Sequence, residues 1–371
     1  MTAGWPGTTA GRPGMTAGHA GMTAPPGSAA APAAGTLASH PRAQLVLEPT
    51  PLHPAPRLSR ELGVPVLFKR DDLAGAGLGG NKLRGLEYIV ADALGRGCDC
   101  LVTGAGPQSN WTMLAALACL RYQIEPHIVC YGTGAADEGN MRLHRWLGVD
   151  LRFTGDPGRS SVDGGIAAVA AELRAAGRRP YPVPRGGATP LGALGYVRAS
   201  AELAAQLDAL GERPAALWLA TGSCGTQAGL VAGAALTAAP YEVVGVTVSR
   251  PVAESRDRVR ALAAGAAALA GIGPAAGGIG ATEGGTGATL TEPTVLGNWI
   301  GPGYGAASPA GQAAARLVAT TEGVFLDPVF GAKAMAALIA GCRAGRVRGT
   351  QVFLVTGGAP TLFTGAAGGA S

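Results

Sequence analysis

The sequence predicts an α/β protein of two lobes, each a mainly parallel sheet flanked by helices. Short apolar runs alternate with amphipathic segments: VPVLFKR (64–70) and CDCLVTG (98–104) predict strands, and residues 81–97 between them predict a helix. Strands that alternate with helices of this length are typical of parallel sheets covered on both faces. After a long predicted helix near 193–211, the pattern restarts with a strand at 216–222. This restart predicts the second lobe.

The other predicted elements continue the same alternation. Short apolar runs are assigned to strands, and longer segments with helical periodicity are assigned to helices. The predicted helices lie at 109–121, 140–147, 161–176, from 226 onward and at 331–345, and the predicted strands lie at 127–131, 149–153, 241–249 and 350–358.

Composition divides the chain into three predicted units. Residues 1–40 are rich in Ala, Gly and Pro and contain too few large apolar groups to offset the entropy of ordering, so we expect a disordered tail. Residues 41–85 together with 196–371 form the predicted large domain, and residues 86–195 form the small domain. The glycine-rich residues 271–290 predict a surface insertion.

Charge and hydropathy exclude several classes of protein. The chain has 371 residues, 47% of them hydrophobic and 14% charged, with no apolar run long enough to cross a bilayer. Its first residues lack the basic start and apolar block of a secretion signal, so we expect a cytoplasmic protein. The net charge of +5 is modest and the basic residues are scattered, which argues against nucleic acid or a membrane as partner.

The cysteines do not indicate a metal site. Six cysteines lack the paired spacings of a zinc site, and the five histidines do not cluster near them. We therefore expect no metal, and buried free thiols at Cys98, Cys100, Cys119, Cys130, Cys224 and Cys342.

Lysine is rare in this chain, which makes each lysine a candidate for amine chemistry. Of 29 basic side chains only three are lysines: Lys69, Lys82 and Lys333. Arginine can supply positive charge, but it stays protonated and cannot form an imine. Lys82 follows Gly-Gly-Asn at the start of a predicted helix, where desolvation would favour its neutral, nucleophilic form. The alternative is a solvated lysine at a helix start.

Two further segments lie between a strand and a helix. In GAGPQSNW (104–111), Gly104, Gly106 and Ser109 imitate a dinucleotide fingerprint whose third glycine is missing, which is weak support for NAD. In LATGSCGTQAGL (219–230), successive backbone N–H groups and two hydroxyls predict an anion cup, whose alternative is a tight turn with a Ser or Thr cap. The residues of this cup are Gly222, Ser223, Cys224, Gly225 and Thr226.

Taken together and in order, seven motifs resemble the family of 1-aminocyclopropane-1-carboxylate (ACC) deaminase and D-cysteine desulfhydrase. The resemblance spans roughly residues 42–365, and the motifs are KRDDLAGAGLGGNKLRGLEY, GAGPQSN, GNMRLHRWLG, GGATPLGALGYV, ATGSCGTQAGL, LDPVFGAKAM and TGGAPTLF. It implies the two-lobed tryptophan synthase β-like fold of pyridoxal 5′-phosphate (PLP) enzymes, called fold type II, with PLP in the large domain. It also implies a homodimer.

The resemblance implies a role for each matched residue. Lys82 falls on the imine-forming lysine, which also moves the proton at the substrate α-carbon. Ser109 faces the substrate, and Tyr304 in GPGYG lies over the active site, with an exposed loop tyrosine as the alternative reading. The implied cofactor-binding residues are Lys82, Asn81, Asn110 beside the ring hydroxyl, Thr356 near the pyridine nitrogen, and the phosphate cup of Gly222, Ser223, Cys224, Gly225 and Thr226.

Several positions depart from the family pattern. Phe330 stands where a tyrosine is usual, and Gly331 stands where the deaminase branch has a glutamate, so cyclopropane ring opening is disfavoured. Trp111, Ala188 and Thr189 also replace usual residues and are expected to reshape the substrate pocket. We interpret Lys69 as a surface ion-pair partner and Lys333 as a structural or carboxylate-side residue.

These inferences predict a PLP-dependent lyase that acts on a small amino acid. The expected reaction is α,β-elimination, as in D-cysteine desulfhydrase, or β-replacement through an aminoacrylate, in specialised metabolism. The alternatives are ACC deaminase-like ring opening and a PLP-binding protein without turnover, the latter motivated by the missing phenol at Phe330.

Overall fold

The computed structural model describes residues 36–273 and 288–365, and their strands form two sheets. The helices are α1 (Pro56–Leu62), α2 (Lys82–Gly95), α3 (Asn110–Arg121), α4 (Gly139–Trp146), α5 (Ser161–Ala175), α6 (Pro190–Leu210), α7 (Gly225–Leu236), α8 (Val252–Leu269), α9 (Pro309–Glu322) and α10 (Gly331–Arg343). The strands are β1 (Leu52–Pro54), β2 (Val66–Arg70), β3 (Cys100–Ala105), β4 (Glu125–Cys130), β5 (Asp150–Phe153), β6 (Pro180–Pro182), β7 (Ala216–Thr221), β8 (Glu242–Thr247), β9 (Thr294–Leu296) and β10 (Gln351–Val355).

The larger sheet has the strand order β1-β2-β10-β7-β8-β9. Only the edge strand β1 runs antiparallel to its neighbour, and every other pair is parallel. Strands β2, β7 and β10 are apolar runs buried nearly throughout, as a sheet covered on both faces requires. Its two faces pack against α9 and α10 on one side and against α6, α7 and α8 on the other.

The smaller sheet has the order β5-β4-β3-β6 and is parallel throughout. All four of its strands lie between residues 100 and 182, within the predicted small domain. The sequence therefore predicted correctly a fold of two mainly parallel sheets flanked by helices. The domain boundaries at 85/86 and 195/196 stay a prediction.

The long helix α6 is the main packing partner of the two helices that begin at the site, α2 and α7. Close approach depends on glycine: a Cβ at Gly195 would lie 2.1 Å from the backbone oxygen of Arg84 in α2. A Cβ at Gly229 in α7 would likewise lie 2.2 Å from the backbone oxygen of Ala193. These contacts fix the positions of both helix N-termini relative to α6.

A buried ionic cluster lies below the start of α2, and it corrects the interpretation of Lys69. Lys69 is only 2% exposed and donates to Glu202, to Gln206 and to the backbone oxygen of Thr50. Glu202 also accepts from the buried Arg84. Lys69 is therefore an ion-pair partner, as expected, but in the interior, because Glu202 on α6 compensates its charge there.

Two compositional predictions fall partly outside the described residues. Within the predicted disordered segment, residues 36–39 are helical and Leu37 is buried among side chains of α6, α7 and α8, whereas residues 1–35 are not described. Most of the predicted insertion at 271–290 also lies outside the described residues. Among the helices that are described, none is both long and apolar enough to span a membrane.

Candidate active site

A cavity lies at the carboxyl ends of β3, β7, β8 and β10, between the two sheets. In open α/β sheets, ligands bind at this edge. Ten of the eleven predicted site residues line the cavity: Asn81, Lys82, Ser109, Asn110, Gly222, Ser223, Cys224, Thr226, Tyr304 and Thr356. The eleventh, Gly225, is the first residue of α7 and lies between two residues of the lining.

Lys82 is the first residue of α2, and the segment before it is tied to the end of β10. The backbone N–H of Asn81 donates to the backbone oxygen of Thr356 at 3.0 Å. The Lys82 ammonium donates to Asn81 Oδ1 at 3.3 Å and has no ion pair with any carboxylate of the described residues. Burial lowers the pKa of Lys82 to about 8, against a smaller opposing effect of Asp327. Lys82 is therefore an amine with a substantial neutral fraction near neutral pH, rather than a solvated helix-start lysine.

Asp327 is the acidic residue of the cavity lining, and the sequence reasoning did not single it out. It is 3% exposed, and its carboxylate accepts the backbone N–H groups of Val329, Phe330 and Gly331 at 3.0, 2.7 and 2.8 Å. Burial raises its pKa, and these hydrogen bonds oppose that shift. The available signal was an aspartate just before the helix predicted at 331, a position where a carboxylate accepts free N–H groups.

The predicted anion cup (residues 222–226) connects the end of β7 to the start of α7. Cys224 adopts a left-handed conformation with φ of 76°, and within the described parts of the chain no side chain caps the start of α7. The first N–H groups of α7 are thus without a side-chain acceptor, which excludes the alternative of a Ser- or Thr-capped turn. Asn81 Nδ2 donates to Thr226 Oγ1 at 3.0 Å and so connects the cup to the lysine segment.

Ser109 and Asn110 stand at the start of α3, and both line the cavity. Ser109 is the N-cap, and its Oγ accepts the N–H of Trp111 at 3.2 Å. Asn110 Oδ1 accepts a hydrogen bond from Asn140 Nδ2 at 2.9 Å. Asn140 was missed, although it belongs to the motif GNMRLHRWLG, because nothing in the local sequence indicates its contact with Asn110.

Tyr304 lies in the cavity wall, with its ring edge-to-face against Phe330 at a centroid distance of 6.1 Å. Burial raises the pKa of Tyr304. Lys333 donates to the backbone oxygens of Ile300 at 2.6 Å and Gly303 at 3.1 Å, next to this tyrosine. Lys333 therefore supports the loop that carries Tyr304.

The departures at Trp111 and Thr189 have visible structural consequences. Trp111 is 3% exposed, donates from Nε1 to Thr103 Oγ1 at 2.9 Å, and still forms part of the cavity lining. Its ring fits only because residue 187 is glycine, since a Cβ there would lie 2.4 Å from ring carbons. Thr189 is the N-cap of α6 and accepts the N–H of Gly192 at 3.0 Å.

The imperfect dinucleotide fingerprint has a packing explanation. A Cβ at Gly104 would lie 2.2 Å from the backbone oxygen of Val129 in the adjacent strand, and one at Gly106 would lie 2.7 Å from the Tyr131 hydroxyl. These glycines are required by the approach of β4 and of the Tyr131 ring.

Three arginines of the lining, Arg159, Arg185 and Arg250, were also missed. They come from three separate segments, so no local motif brings them together.

The residues present fit PLP. A buried primary amine of lowered pKa suits a cofactor with an aldehyde, and an uncapped helix N-terminus beside it suits a phosphate. Asn110 and Thr356, which carry an amide and a hydroxyl, belong to the same cavity lining. These features define the class of the protein, a PLP-binding enzyme of two-lobed α/β fold.

Comparison with known proteins gives the family. Residues 43–357 match the family described as "Pyridoxal-phosphate dependent enzyme". The chain is 37% identical over 340 residues to the D-cysteine desulfhydrase of Salmonella paratyphi B, covering 88% of this chain and 97% of that protein. It is 36% identical over 330 residues to a Pyrococcus abyssi protein provisionally named 1-aminocyclopropane-1-carboxylate deaminase, covering 88% and 94%.

Solved structures agree with this assignment. The crystal structure of an ACC deaminase homologue superposes with a TM-score of 0.81 at 32% identity, covering 90% of this chain and 96% of that one. Threonine deaminase isoform 2 of Solanum lycopersicum, at a TM-score of 0.62 and 19% identity over 88% of each chain, shares the fold. The chain belongs to the PLP-dependent enzyme family, in the branch of ACC deaminases and D-cysteine desulfhydrases. It is a PLP-dependent enzyme of the lyase and deaminase class, as the sequence predicted.

Proposed function

We propose that this enzyme catalyses α,β-elimination on a small amino acid with a leaving group on its β-carbon, with D-cysteine as the reference substrate. The observation that carries the proposal is the Lys82 amine, whose pKa is lowered to about 8 in a cavity that also contains an uncapped helix N-terminus. The relatedness to D-cysteine desulfhydrases supports the choice of reaction. β-Replacement uses the same first half-reaction and differs only in whether a second nucleophile is admitted.

Lys82 is the group that moves the α-proton. When bound, PLP supplies an aldehyde that condenses with primary amines and a ring that withdraws electrons from the α-carbon. With a pKa near 8, the free Lys82 amine is neutral, and so able to accept a proton, in about one molecule in ten at pH 7 and in about half of the molecules at pH 8. The hydrogen bond to Asn81 Oδ1 holds the Lys82 Nζ beside the cup while the proton moves.

The other predicted site residues would bind and orient the cofactor and the substrate. The N–H groups of the cup, from Gly222 to Thr226, would hold the phosphate at the start of α7. The Asn110 amide would donate to the ring hydroxyl, because its oxygen is already occupied by Asn140. Ser109 is assigned to the substrate carboxylate or to proton transfer. Tyr304 covers the substrate.

Three positions argue for elimination over ring opening. Thr356 offers a hydroxyl near the pyridine nitrogen, and a hydroxyl stabilises a protonated ring less than a carboxylate does, which suits prompt loss of a leaving group. Phe330 offers no hydroxyl and Gly331 offers no carboxylate, so neither supplies the group that the deaminase branch has at its position. The carboxylate near position 331 is that of Asp327, whose Oδ2 would lie 3.2 Å from a Cβ added to Gly331.

The proposal is tested on the purified protein with PLP. Borohydride treatment followed by peptide mapping is expected to place the cofactor mass on Lys82, with Lys69 and Lys333 as unlabelled internal controls. A panel of D- and L-amino acids with β-substituents is then assayed for 2-oxo acid and ammonia. Label on another lysine contradicts the assigned role of Lys82. Labelling of Lys82 without turnover of any substrate would favour the PLP-binding protein without turnover.

We also propose a cytoplasmic homodimer. All six cysteines are free, which suits a reducing compartment. Trp146 and Phe363 are 82% and 77% exposed and lie on two elements that pack against each other, α4 and the 3₁₀ segment Ala359–Phe363. Such exposed aromatics are typical of contact surfaces. Light scattering after size exclusion measures the oligomeric state.

A further inference from the structure

Three arginines from separate segments line one part of the cavity. Arg159 precedes α5, Arg185 lies in the 3₁₀ segment Arg185–Gly187, and Arg250 follows β8. We call them the arginine wall. Arg250 and Arg185 are close enough to Arg159 for their charges to lower its pKa, and a cluster of like charges is stabilised by an anion that it binds.

Arg159 is the member whose guanidinium has no anionic partner. Across residues 36–273 and 288–365, it forms no ion pair and no side-chain hydrogen bond, and its main contact is with Tyr304, whose ring centroid lies 3.8 Å from Cζ. Arginine carries five N–H donors, so this side chain retains most of its hydrogen-bonding capacity. Burial lowers its pKa, and the charges of Arg250 and Arg185 act in the same direction.

The other two arginines are paired with carboxylates at the rim. Arg185 contacts Asp163 at 3.1 Å and Arg250 contacts Glu254 at 2.8 Å, and these carboxylates are 53% and 59% exposed. Arg250 also donates to the backbone oxygen of Gly222 at 2.6 Å. Partly solvated ion pairs are weak, so both guanidinium groups still contribute positive potential to the cavity.

The lining holds far more positive than negative charge. Its only carboxylate in the described residues is Asp327, which is already engaged by three backbone N–H groups. The Ser249 hydroxyl, next to Arg250, is buried and has no hydrogen-bond partner in the described part of the chain. A cofactor phosphate in the cup and a substrate carboxylate near Ser109 leave Arg159 unpaired beside Tyr304 and Phe330.

We propose that the arginine wall binds an oxyanion carried on the β-carbon of the substrate, a sulfonate, sulfate ester or phosphate ester. This inference rests on the proposed elimination and specifies its substrate class. The bond from Cβ to the substituent breaks, and its electron pair leaves with the oxyanion, while the α-proton is taken by Lys82. The β-carbon then gains one proton in place of the one lost from Cα, and one water replaces the nitrogen, which gives pyruvate and ammonium with no oxidant or reductant consumed.

Phe330 supports the same substrate class. A leaving group that departs as a stable oxyanion needs no proton from a phenol at this position. It needs charge stabilisation, which guanidinium groups provide through paired N–H donors without losing their own protons.

The first experiment compares β-substituents at equal chain length. The holoenzyme is assayed with cysteate and O-phosphoserine against β-chloroalanine, cysteine and serine, each in both configurations, with 2-oxo acid, ammonia and released oxyanion measured. We expect kcat/KM at least about tenfold higher for an anionic member than for the neutral ones, a gain typical of a charge-assisted hydrogen bond. Turnover of β-chloroalanine without turnover of any anionic member overturns the inference and leaves the proposed elimination standing.

The second experiment isolates Arg159. Arg159→Gln is expected to lower kcat/KM for the anionic substrates by about 10- to 100-fold and for the neutral ones by less than about threefold, with partial recovery in Arg159→Lys. Arg174→Gln, an exposed arginine at the far end of α5, is the matched control and should change neither. Equal losses on all substrates would assign Arg159 to the α-carboxylate, and a lower affinity for PLP would assign it to the phosphate. Either result overturns the inference.

Calorimetric titration of the holoenzyme with 3-sulfopropanoate and 3-phosphooxypropanoate, which lack the α-amino group of cysteate and O-phosphoserine, gives a readout that does not depend on turnover. Binding weakened by about tenfold or more in Arg159→Gln supports the inference. Failure of both compounds to bind the wild-type holoenzyme overturns it, whatever the activity on other amino acids.

Discussion

The side-chain amide of Asn140 donates to the amide oxygen of Asn110 at 2.9 Å, and this contact decides which end of Asn110 is available to a ligand. Asn140 is fully buried, and its own position is fixed by Gln108, whose Oε1 accepts the Asn140 backbone N–H at 2.8 Å. With its oxygen occupied, Asn110 can offer only its nitrogen to the cavity. An amide fixed in this way is a donor, as the ring hydroxylate of the cofactor requires.

Replacement of Asn140 by alanine should therefore weaken cofactor binding, although Asn140 does not line the cavity and acts only through Asn110. The change removes one hydrogen bond and lets the Asn110 amide rotate, which corresponds to about 1–2 kcal/mol, or roughly tenfold in the dissociation constant of PLP. Absorbance titration of apo-protein with PLP measures the effect. Arg142→Gln, exposed on the same helix, is the control. Unchanged affinity in a folded Asn140→Ala protein would show that Asn110 orients without this contact.

The lowered pKa of Lys82 predicts how fast apo-protein captures PLP at different pH values. Only the neutral amine attacks an aldehyde, and the neutral fraction rises about tenfold per pH unit below the pKa. Because burial lowers the pKa of Lys82 to about 8, the capture rate should rise up to about pH 8 and then level off. An ordinary lysine would keep accelerating toward pH 10.5.

Stopped-flow absorbance records this capture, and Lys82→Arg is the control in which it should be absent. A rate that still climbs steeply above pH 9 would contradict the lowered pKa.

Much of the fold and the centre of the site could be predicted from the sequence because their signals are local. The strands β3 and β7 are short apolar runs, and Lys82 and the cup both lie where a glycine-rich turn starts a helix. Strand β6 and the edge strand β1 were missed because they have only three residues each and contain proline. So short a run has no periodicity to detect.

The missed site residues depend on contacts between distant segments. Asn140 touches Asn110 across 30 positions, and Arg159 meets Tyr304 across a still longer interval. The sequence predicts Lys69 at the surface because the predicted strand that contains it is followed by two aspartates. Its compensating carboxylate, Glu202, comes from α6, 133 residues later.

Gly187 and Trp111 should show coupled effects on stability. Gly187 has φ of 71°, and a Cβ there would lie 2.4 Å from the Trp111 ring, so Gly187→Ala adds both backbone strain and overlap. We expect a loss of about 2–4 kcal/mol in the free energy of unfolding. In the background of Trp111→Leu, the overlap term disappears and the loss from Gly187→Ala should shrink to about 1 kcal/mol.

The free energy of unfolding is measured in urea for the four proteins of this double-mutant cycle: the wild type, Gly187→Ala, Trp111→Leu and the double variant. Gly95→Ala, a glycine in α2 with open space around it, is the control and should not destabilise. Additive losses at 187 and 111 would mean that the backbone conformation, and not the tryptophan, requires glycine.

Lys333 should affect catalysis through Tyr304. Its buried ammonium holds the backbone oxygens of Ile300 and Gly303, so Lys333→Met leaves two carbonyls without their charged donor and loosens the loop that carries Tyr304. We expect about 2–3 kcal/mol lower stability and about tenfold lower kcat, with the dissociation constant of PLP nearly unchanged because the cup lies elsewhere. Lys333→Gln, a neutral donor, should recover part of both losses.

The dependence on Tyr304 separates a positioning role from a general loss of stability. If Lys333 acts by placing Tyr304, the kcat of Lys333→Met combined with Tyr304→Phe should be no lower than that of the more impaired single variant, because both changes remove the same function. If the two losses in kcat multiply instead, the buried ammonium acts on the reaction by another route. The candidate is its charge, because Asp327 of the cavity lining is near enough to raise the pKa of Lys333 against the effect of burial. The pH dependence of kcat in Lys333→Met distinguishes these routes, since misplacement of Tyr304 lowers the whole profile while loss of a charge shifts its limbs.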